Sequence, residues 1–100
     1  MSKRAVMSFR VYRQYGPAER TLHGLMRSGD YGNLSLRLGV LCSSCEYRDV
    51  GCIVAPSGYM VDALHRVSEI PAGVQEGVPL PVELIDYDKR DGIWSFTVSV

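Results

Sequence analysis

Cys42, Cys45 and Cys52 fall within eleven residues of this 100-residue chain, and His65 is the first histidine after them. The spacing is C-x2-C-x6-C-x12-H. Three thiolates and one imidazole form the ligand set of a closed tetrahedral zinc site, which leaves no position open for substrate. A two-residue spacer lets two sulfurs converge on one ion, and closing the loop from Cys52 to His65 is entropically mild. The expectation is one zinc ion per chain, held by Cys42, Cys45, Cys52 and His65, with binding coupled to folding. His23 and Asp49 are the alternatives to His65 as fourth ligand. His23 lies far upstream, on a helix face expected to meet water.

Two other readings of the cysteines stay open. Cys42 and Cys45 could be a redox dithiol, since C-x-x-C can shuttle electrons. Such pairs favour helix N-termini, whereas this one follows a strand and leads into Glu46, whose charge works against a thiolate. Alternatively, the three cysteines are small buried apolar residues.

No enzyme signature accompanies them. The serines lack a histidine–carboxylate set at recognisable spacing. Gly29 to Gly32 lacks the lysine of a phosphate loop. Asp86, Asp88 and Asp91 lack the twelfth-position glutamate of a calcium loop and read as a solvated turn. Arg10, Tyr12, Arg13 and Tyr15 interleave cations with aromatic rings, the composition of a single-stranded RNA platform. The same residues also fit a strand with a polar outer face and tyrosines at its rim. Trp94 and Phe96 alternate with small polar residues and read as core.

The elements that must position these groups follow from periodicity. Met7, Phe9 and Val11 alternate with polar neighbours over residues 5–13, a half-buried strand. Gly16-Pro17 opens a helix whose stripe is Ala18, Leu22, Leu25 and Met26, and Gly29 stops it. Asp30 to Asn33 is a turn. Leu34, Leu36, Leu38 and Val40 alternate in a second strand that runs into Cys42. Val50 to Ala55 returns as its partner, making a hairpin with Cys42 and Cys45 at the tip. Ser57 is a candidate N-cap for a second helix with the stripe Tyr59, Met60, Ala63, Leu64 and Val67, ending near Pro71. That helix would lean His65 towards the hairpin. After a loop over 71–81, Val82 to Tyr87 and Trp94 to Val100 form a final hairpin around Asp88 to Gly92. The order β-α-β-β-α-β-β defines a small single α+β domain over residues 1–100, with a mainly antiparallel sheet and a zinc-bound hairpin-helix.

Bulk composition agrees with one globular domain, 46% hydrophobic and 22% charged. No apolar run reaches the roughly 18–20 residues of a bilayer span, so no membrane is expected. Arg10 and Arg13 interrupt any signal-peptide core. A reducing, cytoplasmic setting follows, where metal or free thiols explain cysteines better than disulfides. Net charge is zero, yet it is unevenly spread. Residues 1–50 hold eight Lys/Arg against four Asp/Glu, and residues 51–100 hold three against seven. Such asymmetry can create a basic face on a neutral molecule, although scatter over a solvated surface is the plainer account.

The stretch Gly32-Asn33-Leu34-Ser35-Leu36-Arg37-Leu38-Gly39-Val40-Leu41-Cys42-Ser43-Ser44-Cys45 resembles a segment of the small first-frame proteins of sobemoviruses. In that family a Gly-x-aliphatic-Ser-aliphatic strand leads into a C-x-x-C zinc turn. The resemblance covers these fourteen residues, and it carries over only Cys42 and Cys45 as functional positions. It implies a zinc-binding viral suppressor of host RNA silencing, acting in the host cytoplasm on RNA or a host protein. The chain lacks the second C-x-x-C of larger members. Other classes remain: a thiol–disulfide redox protein using Cys42 and Cys45, or a metal-free protein–protein inhibitor such as a phage might encode. Homodimerisation through an exposed edge strand of the final hairpin is a further expectation.

Overall fold

Alternation sets the first strand. Ala5, Met7 and Phe9 are buried while Arg4, Val6 and Arg10 are exposed, the period of two that a pleat imposes. The computed structural model describes residues 3–11, 16–31, 33–39, 50–58 and 60–100. Its elements are β1 (Arg4–Val11), α1 (Gly16–Ser28), β2 (Ser35–Leu38), β3 (Val50–Val54), β4 (Met60–Arg66), β5 (Leu80–Asp88) and β6 (Ile93–Ser99).

The strands close into a barrel in the order β1-β4-β3-β2-β5-β6, with β6 returning to β1. Every pairing is antiparallel. β2, β3 and β4 form a meander, and β5 comes back to lie beside β2, which is a Greek-key connection. The link between β4 and β5 is tied to the barrel on its way. The Ser68 hydroxyl accepts the Ser8 N–H at 2.9 Å, the Gly77 N–H donates to the Leu38 carbonyl at 2.7 Å, and Val74 joins the core.

The interior holds Met7, Phe9, Leu36, Leu38, Ile53, Leu64, Val82, Ile85, Trp94, Phe96 and Val98, with Leu22 packed in from the helix. Phe9 and Phe96 meet edge to face, with centroids 5.5 Å apart at 75°, worth about 0.5–1.5 kcal/mol beyond their burial. Trp94 and Phe96 are thus core residues. The radius of gyration, 12.5 Å, matches the ~13 Å of one compact 100-residue domain.

α1 forms as its stripe requires. Leu22 is buried, Leu25 and Met26 pack against the core, and the Gly29 N–H caps the end on the Leu25 carbonyl at 3.0 Å with φ at 67°.

The expected second helix does not form. Residues 60–66 are the strand β4, paired with β3 on one side and β1 on the other. Ser57 is not an N-cap. It sits in a turn in which the Gly58 N–H donates to the Ala55 carbonyl at 2.9 Å, with Gly58 at φ 86°. Met60, Ala63, Leu64 and Val67 fit a helical stripe, but they also fit a strand with one buried residue, Leu64. Hydrogen bonding to two neighbouring strands decides between them. In the final hairpin β6 is paired on both sides, with β5 and β1, while β5 meets β2 only at Leu80 and Pro81.

Candidate metal centre and its flanking arginines

Strand parity gives the site its geometry. A Cβ on Gly51 would run into the Phe9 ring, so Gly51 faces the interior and its neighbours Val50 and Cys52 face outward. In register, Cys52 lies between Arg37 of β2 and Ala63 of β4. His65 lies between Val50 of β3 and Arg10 of β1. Cys52 and His65 therefore share the outer side of the wall as diagonal neighbours, about 7–8 Å apart along the backbone lattice. Zn–S and Zn–N bonds of about 2.3 and 2.0–2.1 Å let two such side chains meet on one ion. The expected hairpin-helix is thus replaced by two adjacent strands, and His65 is offered from a strand rather than a helix.

Cys42, Cys45 and Asp49 lie outside the described residues, as do Tyr12, Arg13 and Tyr15. The flanks of the cysteine segment are described: the Gly39 N–H donates to the Val50 carbonyl at 3.0 Å. The chain thus leaves and rejoins the sheet at the row that holds His65. Among the described residues no group of three or more His, Cys, Asp or Glu side chains could hold a metal.

Cys52 is a free cysteine and, like Val50, is buried without belonging to the interior cluster. Burial pushes its thiol above the ordinary range, and the Arg37 guanidinium pulls partly the other way. A bound cation would reverse that balance and deprotonate the sulfur.

His23 is not the solvated residue expected. Its ring stands edge-on to Tyr87 at 4.7 Å and 81°, and to Trp94 at 4.7 Å and 64°. That places it against β5 and β6. β6 lies across the barrel from β3, which takes His23 away from Cys52.

Arg10 is exposed on the outer side of β1. Arg37, read in the sequence only as a polar alternate of its strand, stands outward on β2 beside Cys52, across the barrel from β1. The outward positions of β1, β4, β3 and β2 hold Arg4, Arg10, Arg37 and His65 and, among the described residues, no carboxylate. Asp62 falls on the inward parity, opposite Ile53. Its Oδ1 accepts the Ala63 N–H at 2.8 Å, while Oδ2 is buried without a partner. Burial raises its carboxyl above the ordinary range against that one hydrogen bond. The expected solvated turn is present: Asp88 Oδ1 accepts the N–H groups of Arg90 at 2.9 Å and Asp91 at 3.4 Å. No described helix is long and apolar enough to cross a membrane.

No family model, characterised protein or solved structure matches the chain.

Proposed function

We propose that this protein is a non-catalytic, zinc-stabilised barrel that binds RNA through the outward arginines flanking its metal centre. Its most specific form is a viral suppressor of host RNA silencing, in which Arg10 and Arg37 meet phosphates beside the metal centre. In this reading Tyr12, Arg13 and Tyr15 also contact the RNA, the tyrosines supplying rings for base stacking. The observation that carries the reading is the register: Cys52 stands beside Arg37 and His65 beside Arg10, with no carboxylate at the outward positions of these strands. A zinc ion held by Cys42, Cys45, Cys52 and His65 would brace β3 against β4 and leave no vacancy for catalysis.

The test is titration of a fluorescent single-stranded RNA at several salt concentrations. Affinity for single strands should fall with log salt at a slope of about −0.7 per phosphate contacted. Arg10→Ala and Arg37→Ala should each flatten that slope. Binding that ignores salt, or that both variants retain unchanged, would leave a host protein as the partner instead.

A further inference from the structure

Strand pairing is uneven around the barrel. β6 is paired with β1 over residues 4–9 and with β5 over residues 82–88. β1 meets β4 only over residues 9–11, and β5 meets β2 only at Leu80 and Pro81. The strands β5, β6 and β1 therefore make a three-stranded sheet of their own, with β6 in the middle. Its inner face lies in the core and its outer face carries exposed side chains.

The outer face is ordered from flank to flank. β6 presents small hydroxyl residues, Ser95 and Thr97 among them. Val6 of β1 and Leu84 of β5 both stand in register with Thr97, one on either side, and they are 57% and 49% exposed. The register shift between Val82 and Leu84 leaves Glu83 and Leu84 outward in succession. At the other end of the face Ile93 pairs with Asp88 and lies level with Arg10, since Phe9 pairs with Trp94. One flank is thus cationic and the other acidic, with an apolar side chain at the same level on each. The Arg4 guanidinium already reaches the Glu83 carboxylate at 2.6 Å, so side chains of the two flanks meet over the small central strand.

We infer that this face is a homodimer interface, in which two copies pack β1, β6 and β5 against each other about a two-fold axis running along β6. That axis lays β1 of each copy over β5 of the other and keeps every level in place. Val6 then meets Leu84 of the second copy and Arg10 meets its Asp88, and each contact occurs twice. An axis across the strands would set β5 on β5 and bring the carboxylates together, so charge selects the first arrangement. The short side chains of β6, the strand that stands forward on a convex sheet, let the flanking rows approach. The contact is isologous and closes at two copies. Three strands about 4.8 Å apart and about seven residues long give roughly 350 Å² per copy, less than half of the about 800 Å² per partner of a standard stable complex. The dimer is therefore weak and forms at high protein concentration. It requires neither zinc nor RNA.

Sedimentation velocity of the full chain, freed of nucleic acid, tests this at up to about 1 mM protein. The mean mass should rise with concentration and level off at twice that of one chain. Val6→Glu and Leu84→Lys change exposed side chains, so both should fold, as circular dichroism checks. Each variant alone should stay monomeric, because it sets a charge against an apolar side chain whose neighbours carry the same sign. Mixed in equal amounts the two should form a dimer, since the new glutamate then meets the new lysine while the remaining Leu84 still meets the remaining Val6. A wild-type chain that stays monomeric at about 1 mM overturns the inference. So does mass that grows past two copies, dimerisation kept by either single variant, or a mixture that does not pair.

Discussion

The ring of Phe9 fills the space that a side chain on Gly51 would need. A Cβ there would lie 2.7 Å from Phe9 Cζ and 3.0 Å from Cδ1. β1 and β3 are not paired, since β4 runs between them, so this contact crosses the barrel interior. It also fixes which face of β3 looks out, and hence where Cys52 stands.

Gly51→Ala should therefore destabilise the fold by about 1–3 kcal/mol through overpacking. Thermal unfolding should show a fall of roughly 4–8 °C per kcal/mol for a domain of this size. Combining it with Phe9→Leu should cost less than the sum of the two changes, because the smaller side chain makes room. Strict additivity would mean the two residues do not share that space.

Asp62 gives stability a pH dependence. Its carboxyl titrates above the ordinary 3.8 in the folded chain. From 3.8 up to the folded value the native state binds more protons than the unfolded one, so stability falls as pH rises through that window. Above the window the penalty is complete. Asp62→Asn keeps an acceptor for the Ala63 N–H and should raise stability near pH 7 by about 1 kcal/mol. The gain should shrink as pH falls towards 4. Denaturant titrations of both proteins at pH 4, 5 and 7 check this, and a gain that does not vary with pH would count against it.

His23 fastens α1 to the barrel through Tyr87 and Trp94. Those two rings lie 4.4 Å apart at 36°, and the imidazole packs against both. His23→Ala should lower stability by about 1–2 kcal/mol through lost ring contacts. The emission of Trp94, the chain's single tryptophan, should shift to longer wavelength as water reaches it. Zinc content should not change. Loss of zinc in this variant would return His23 to the ligand set.

The metal proposal is checked by elemental analysis of protein purified without added zinc, with one ion per chain expected. Removing the ion with a chelator should lower the melting temperature, since binding is coupled to folding. Cys52→Ser and His65→Ala should each reduce zinc content. His65 is exposed, so a stable His65→Ala protein retaining its full complement of zinc would exclude His65 as a ligand without any ambiguity from misfolding.

Local pattern was a sound guide wherever one period stood alone. Residues 5–11 alternate cleanly and form β1. Leu22, Leu25 and Met26 sit one helical turn apart between a Gly-Pro start and a glycine stop, and they form α1. The Asp88–Gly92 turn signal correctly joined β5 to β6. Residues 60–66 were different. Their inward set is Asp62, Leu64 and Arg66, in which polar and apolar residues mix, and a register shift follows at Met60, so the alternation of a strand is blurred. The competing helical stripe then looks stronger than it is. The turn at Ala55 to Gly58 was the available signal, and the serine within it was read as a cap.

The amino-acid sequence by itself determined the inward and outward faces of β1 and β2, the helix α1, the final hairpin, and the gathering of three cysteines within a short span. Each depends on neighbours a few residues away, where sterics and hydrophobic period act directly. Tertiary structure decided that residues 60–66 extend rather than coil, that Cys52 and His65 stand outward on adjacent strands, and that Arg37 flanks the one and Arg10 the other. Those outcomes depend on register between strands far apart in the chain. Register is set by hydrogen bonds and by long-range packing such as Phe9 on Gly51, and a one-residue slip would send every outward side chain to the interior.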